Sequence, residues 1–177
     1  MKVAGIFKRR IFYVTIGLVL IIGAVTYFPE VATTGYHLIH GGSVRFHEWI
    51  IPVPQGWWTF KHDESLIVQK IRKKADDDPI VVVGPFTLAQ GSVFNQEKSK
   101  TALIKNEAGR GYEFLSQGIV KFGPYTGVCF WFTASENSHR LSTTCVIPEG
   151  RLSVTFVGDQ SYRTEFNQII EHMKVSE

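Results

Sequence analysis

Two cysteines, Cys129 and Cys145, are the residues whose spacing defines their chemistry best. They flank Glu136-Asn137-Ser138, a short polar stretch typical of a hairpin turn. If the hairpin is centred on Asn137, the two cysteines lie directly opposite each other on neighbouring strands, within reach of a disulfide. A register shift of one residue would place their side chains on opposite faces. We predict a disulfide if the domain is exported, and two free buried thiols if it is cytoplasmic.

Other candidates for chemistry form four short groups: His37, His40 and His47; His62-Asp63-Glu64; Asp76-Asp77-Asp78; and Ser135, Ser138 and His139. The histidines lack further ligands at metal-binding spacing, and the aspartates lack the spaced oxygens and glycine of a calcium loop. No G-x-S-x-G motif accompanies the serines, and the acidic groups have no nucleophile beside them. The sequence therefore predicts no cofactor and no metal, and a non-enzymatic domain. The enzyme alternative requires His62, Asp63 or His139 to converge in a cleft.

Three tryptophans, Trp49, Trp57 and Trp58, occur within ten residues, around a turn that contains two prolines. If they are exposed, they form a recognition patch for a partner or a ligand, because tryptophan is enriched at binding hot spots. If they are buried, they fill the end of the core where the first strand turns. The sequence leaves both interpretations open.

The element that positions these groups in the cell is Ile11–Phe28, an apolar run without charge or proline. As a helix it would be about 27 Å long, close to the apolar thickness of a bilayer. Basic residues precede the run, and no acidic residue occurs before Glu30. The run is longer than a typical signal-peptide core, and no small-x-small cleavage site follows it. We predict a retained single-pass anchor in the inner (cytoplasmic) membrane. The N-terminus stays in the cytoplasm, and the C-terminal domain is periplasmic or extracellular.

The chain then divides into a cytoplasmic basic tail (1–10), the transmembrane helix (11–28), a glycine-bearing linker (29–43) and an exported domain (44–177). In this domain, apolar patterning predicts six main strands: Val44–Val53, Ser65–Lys73, Ile80–Phe86, Tyr125–Ser135, His139–Pro148 and Arg151–Val157. Ile80–Phe86 is apolar on both of its faces, which predicts a central strand covered on both sides. Helical periodicity predicts an amphipathic helix over Gly91–Ala108, capped by Ser92, and a final helix over Ser161–Lys174, capped by Asp159 or Ser161. The apolar face of the final helix consists of Tyr162, Phe166, Ile169, Ile170 and Met173. The predicted class is α+β, with an antiparallel sheet packed by a middle helix and a C-terminal helix.

A short motif, Ile51-Pro52-Val53-Pro54-Gln55-Gly56-Trp57, resembles the strand-ending P-x-G-W near the start of Mog1/PsbP-like domains, which include the bacterial DcrB-like domains. The order of elements is similar too, with Tyr125-Thr126-Gly127 entering the meander and Phe166 and Ile169-Ile170 in the last helix. This resemblance implies an α/β/α sandwich and a mostly non-enzymatic class of accessory subunits, adaptors and exported proteins. The class has no shared catalytic residues to carry over.

The charge distribution argues against nucleic acid as a partner. Beyond the predicted anchor, 15 basic residues face 16 acidic ones, so the basic residues before the anchor account for the high pI. Together these features predict a domain, tethered to the lipid bilayer through residues 11–28, that binds another envelope protein. The partner role is that of an accessory subunit or of an immunity-type protein against a delivered toxin. The alternative is a domain that binds a small ligand or a lipid in an aromatic pocket between helix and sheet.

Overall fold

The computed structural model describes residues 15–18, 23, 28, 30–70, 79–88 and 92–176. The predicted anchor, residues 11–28, therefore falls largely outside the described residues; positions 15–18, 23 and 28 have helical backbone. The basic tail over 1–10 and the end of the predicted strand beyond residue 70 also lie outside them. Within the described ranges, no helix is both long enough and apolar enough to span a membrane.

A helix, α1, spans residues 30–40, where the sequence predicts a glycine-bearing linker. The sequence pattern did not indicate a helix in this part of the predicted linker. Gly41 ends the helix with φ 74°, and its N–H donates to the carbonyl of His37 at 2.9 Å. Glycine adopts this left-handed conformation readily, so Gly41 acts as the C-terminal cap of a helix.

The predicted strand Val44–Val53 is in fact a hairpin of two strands, β1 (Ser43–Phe46) and β2 (Trp49–Pro52). Phe46 pairs with Trp49, so His47 and Glu48 form a two-residue turn. His47 adopts φ 52°, a left-handed conformation that histidine tolerates better than most residues. A final short strand, β10 (Lys174–Val175), pairs with β2 and completes a three-stranded antiparallel sheet.

A seven-stranded antiparallel sheet forms the centre of the molecule. Its strands in chain order are β3 (Trp57–His62), β4 (Ser65–Lys70), β5 (Ile80–Pro85), β6 (Tyr112–Phe122), β7 (Tyr125–Ala134), β8 (Arg140–Ile147) and β9 (Leu152–Asp159). In space they run β3-β4-β5-β9-β8-β7-β6, so β3 and β6 are the edges. Strand β5 is central, as predicted. The register of β6 shifts between Phe114 and Ser116, which marks a β-bulge at Leu115.

Helix α3 (Arg163–His172) packs on one face of this sheet, after a 3₁₀ turn over Gln160–Tyr162. The five apolar residues that define its predicted face are all buried: Tyr162, Phe166, Ile169, Ile170 and Met173. Phe166 stacks on Phe156 of β9 with ring centroids 5.0 Å apart. Asp159 caps the turn by accepting from Ser161 N–H at 2.8 Å, one of the two caps predicted.

Helix α2 (Gln96–Ala108) lies on the opposite face, where it covers Phe130 and Phe132 of β7 with Leu103 and Ile104. It begins five residues later than predicted, because Asn95, and not Ser92, provides the cap: its side chain accepts from Lys98 N–H at 2.9 Å. Glu107 is its only buried residue among those described. The fold is thus α+β with two antiparallel sheets and helices on both faces of the larger one.

Gly150, in the turn between β8 and β9, makes a contact that requires glycine. A Cβ atom at this position would overlap the indole ring of Trp49 and press on Ile147 and Tyr125. The Gly150 carbonyl also accepts a hydrogen bond from Trp49 Nε1 at 3.1 Å. The close approach fixes the small sheet against the large one.

We expect Gly150→Ala to lower the free energy of unfolding by about 2 kcal/mol, because the added methyl group must displace a buried indole. Urea unfolding of the full chain in detergent measures the change. Gly42→Ala is the matched control, since a Cβ there would meet no atom within 4 Å. Equal stability of the two variants would show that the turn accommodates the methyl group.

Candidate functional site

The disulfide predicted from the spacing is present between Cys129 and Cys145. The two residues face each other across β7 and β8, and their neighbours Trp131 and Thr133 oppose Thr143 and Leu141, as the hairpin centred on Asn137 requires. Both cysteines are fully buried in the larger core, with Cα atoms 3.9 Å apart. The bond therefore joins two inner strands of the large sheet within the core.

The tryptophan cluster does not form an exposed patch. Trp49 is 1% exposed and Trp57 is fully buried, because both belong to the core cluster that includes α3. Trp57 meets Tyr162 edge-on with ring centroids 6.3 Å apart. Trp58 alone is half-buried, since it points to the other face of the edge strand β3 beside Phe60. For Trp49 and Trp57 the predicted recognition patch is corrected to core packing, the alternative that the sequence had left open; Trp58 lies outside the core cluster.

The acid–base candidates are far apart. His62 Nδ1 lies 3.1 Å from Asp63 Oδ2, but both side chains are more than two-thirds exposed at the turn between β3 and β4. This turn is at the end of the sheet where Pro85 pairs with Leu152, whereas His139 is at the opposite end, beside Asp159. The convergence that an enzyme of this kind would need is absent from the described part of the chain. In the same ranges, no group of three or more His, Cys, Asp or Glu could hold a metal ion.

The end of the sheet that carries Asp63 has two adjoining cavities of about 330 and 230 Å³. Three hairpin turns border them, and each contributes one non-glycine residue with positive φ: His47, Asp63 and Arg151. Residues held in this conformation store strain. The lining mixes acidic and basic side chains, so these cavities have no single charge preference.

The other end of the sheet has a cavity of about 580 Å³, which we call the arginine cleft. It lies between the end of α2 and the turn that joins β7 to β8, and its lining residues are Arg110, Gly111, Tyr112, Ala134, Ser135, Glu136, Asn137, Arg140 and Val157. The lining contains two arginines and one tyrosine, and its one acidic residue is Glu136. Arginine and tyrosine are among the side chains that most often dominate binding energy at protein interfaces.

Arg110 is held at this cleft by an ion pair. Its Nη1 donates to Oε1 of Glu107 at 2.9 Å, and the Glu107 side chain is only 2% exposed. The Arg110 guanidinium also lies over the Tyr112 ring, 6.0 Å from its centroid. Because the carboxylate and the ring both restrict it, the guanidinium loses less conformational freedom when it binds a ligand.

No motif in the sequence indicates this cleft. Arg110 belongs to Gly109-Arg110-Gly111, which the sequence identifies as the end of a helix, and Arg140 opens an ordinary strand thirty residues later. Only the pairing of β6 with β7, in which Tyr112 opposes Ala134, brings the two arginines to one end of the sheet. A local motif could not have revealed a site that depends on strand order.

The fold places the chain in a structural class of α+β domains with a central antiparallel sheet and helices on both of its faces. Within this class, the solution structure of cyanobacterial PsbP (CyanoP) from Synechocystis sp. PCC 6803 is similar, with a TM-score of 0.51 and 11% sequence identity. The match covers 72% of this chain and 86% of that chain. It confirms a weak PsbP-like resemblance in fold alone. No family model matches the chain, and no curated protein does.

Proposed function

We propose that this protein is a membrane-tethered, exported domain that binds another envelope protein through the arginine cleft. The observation that carries the proposal is the convergence of Arg110, Arg140 and Tyr112 on one open cavity. Such a surface fits an acidic segment of a protein partner, because guanidinium groups pair with carboxylates in a bidentate geometry. The role is that of an accessory subunit or of an immunity-type protein.

Export is part of the same proposal and is supported by two separate features. Ile11–Phe28 has the length and composition of a membrane span, and four basic residues lie in the ten positions before it. The disulfide between Cys129 and Cys145 persists best in an oxidising compartment. The test is a reporter enzyme that is active only outside the cytoplasm, fused after Glu177. Export predicts that this fusion is active.

The cleft is tested by affinity capture from detergent-solubilised membranes. Wild type is expected to recover a recurrent protein, and Arg140→Glu is expected to weaken the capture at least about tenfold, or about 1.4 kcal/mol, because it places a carboxylate against the acidic segment. Lys121→Glu is the matched control: it makes the same change of charge at an exposed position near the far end of β6. If both variants weaken the capture equally, the assignment of binding to the arginine cleft is overturned. If wild type captures no recurrent protein, the proposal of a protein partner is overturned.

A second function, the binding of a small ligand, is favoured by one observation. The cleft volume of about 580 Å³ falls within the range of small-molecule sites. We predicted an aromatic pocket between helix and sheet, but the space under α2 is filled by Tyr112, Phe130 and Phe132. The arginine cleft lies at the end of α2 instead. An anionic small molecule retained in native mass spectrometry of wild type, and lost from Arg140→Glu, would favour this alternative over a protein partner.

A further inference from the structure

Helix α1 has two chemically distinct faces. One face is docked on the domain: Tyr36 Oη and Thr59 Oγ1 of β3 are 2.5 Å apart, and His37 Nε2–H donates to the carbonyls of Pro54 and Trp57 at 3.0 and 3.1 Å. Thr33, on the same side, is 4% exposed. These contacts hold α1 against the edge of the large sheet.

The other face of α1 is apolar and exposed. Val31, Leu38 and Ile39 have 65%, 83% and 78% of their surface accessible. At about 100° per residue they fall within one third of the helix circumference, on the side away from Tyr36 and His37. Phe28, just before α1, is also exposed, at 62%. We call Phe28, Val31, Leu38 and Ile39 the apolar stripe.

The position of this stripe in the chain indicates what covers it. The apolar, uncharged run Ile11–Phe28 ends where the stripe begins, and α1 is only about 16 Å long, so it cannot carry residues 31–39 far from the end of that run. Glu30 is the only Asp, Glu, Lys or Arg in α1, so the attraction of the helix to a surface must come from apolar contact. Helices with one apolar face bind in the boundary between headgroups and acyl chains.

We propose that α1 lies in the headgroup region of the bilayer, with the apolar stripe against lipid and with Tyr36 and His37 against the domain. The inference rests on the membrane attachment proposed above. It adds that the domain has a fixed orientation at the membrane, with the β3 edge toward the lipid, and is not attached through a flexible linker. Because α1 has no Lys or Arg, the proposed contact does not depend on anionic lipid.

The test uses the full chain reconstituted in vesicles of phosphatidylcholine and phosphatidylglycerol, with one spin label on an introduced cysteine. The native cysteines are joined in the disulfide and do not react. A label at Leu38→Cys is expected to be more accessible to oxygen than to a water-soluble nickel complex. A label at Asn137→Cys, on the turn between β7 and β8, is expected to show the reverse. Vesicles of phosphatidylcholine alone should give the same result at position 38.

A label at Leu18→Cys separates this inference from the membrane attachment on which it rests. If position 18 is accessible to oxygen but position 38 is accessible to the nickel complex, the anchor holds and the docking of α1 on lipid is overturned. If position 18 is also accessible to the nickel complex, the attachment itself fails. Spectral broadening between labels at position 38 would show that a second copy covers the stripe, which also overturns the proposal.

Discussion

Replacing both cysteines, as Cys129→Ala/Cys145→Ala, is expected to lower the free energy of unfolding by about 3 kcal/mol. The disulfide closes a loop whose ends are 16 residues apart in sequence, and cutting it returns conformational freedom to the unfolded chain. The native state loses little, because both side chains are buried and alanine fits the space of a small apolar group. The measurement is urea unfolding of the full chain in detergent.

Reduced wild type is the control for this prediction. It keeps the same side-chain atoms without the bond, so it should be destabilised nearly as much as the double variant. If the reduced protein unfolds at the same urea concentration as the oxidised one, the bond contributes nothing. If the double variant is much less stable than reduced wild type, packing of the sulfur atoms dominates.

Trp57→Ala is expected to be the most damaging single change, at about 3–5 kcal/mol of unfolding free energy. The ring is fully buried in the core cluster that contains Tyr162 and Phe166, so its removal leaves a cavity between β3 and α3. Its Nε1 has no hydrogen-bond partner among the described residues, so the loss is one of packing alone.

Trp58→Ala is the matched control, one residue along the same strand. Its ring is half-buried on the other face, and its Nε1 likewise has no partner among the described residues. We expect less than half the effect of Trp57→Ala in the same urea titration. Equal effects would mean that the two faces of β3 are covered equally. A neutral Trp57→Ala would contradict the assignment of this residue to the core.

The parts of the fold that could be predicted are those in which local pattern and packing agree. The last helix was predictable because Phe166, Ile169 and Ile170 follow the helical period and also reach the core. The disulfide was predictable because a hairpin turn fixes the register on both sides of Asn137. In both cases the nearest neighbours in sequence supply the constraint that decides the structure.

The parts of the fold that the sequence did not predict depend on contacts between residues far apart in the chain. The hairpin of β1 and β2 turns at His47-Glu48, which contains no glycine or asparagine, and β2 is held there by Lys174 and Val175 of β10. Residues 30–40 resembled a linker because of Gly35 and Gly41, yet contacts with Pro54, Trp57 and Thr59 favour a helix. The arginine cleft likewise depends on strand order, which a single sequence does not specify.

The bulge in β6 has a consequence for self-association. An antiparallel sheet with open edges can grow by adding strands from other molecules, and proteins confined to a membrane meet one another often. The shift between Phe114 and Ser116 interrupts the hydrogen-bonding edge of β6, and Lys121 adds a charge near its end. At the opposite edge, α1 occupies the start of β3 through His37. The sheet therefore has a different barrier to strand addition at each edge. If the domain is held at a membrane as proposed, these barriers oppose its polymerisation when its molecules crowd there.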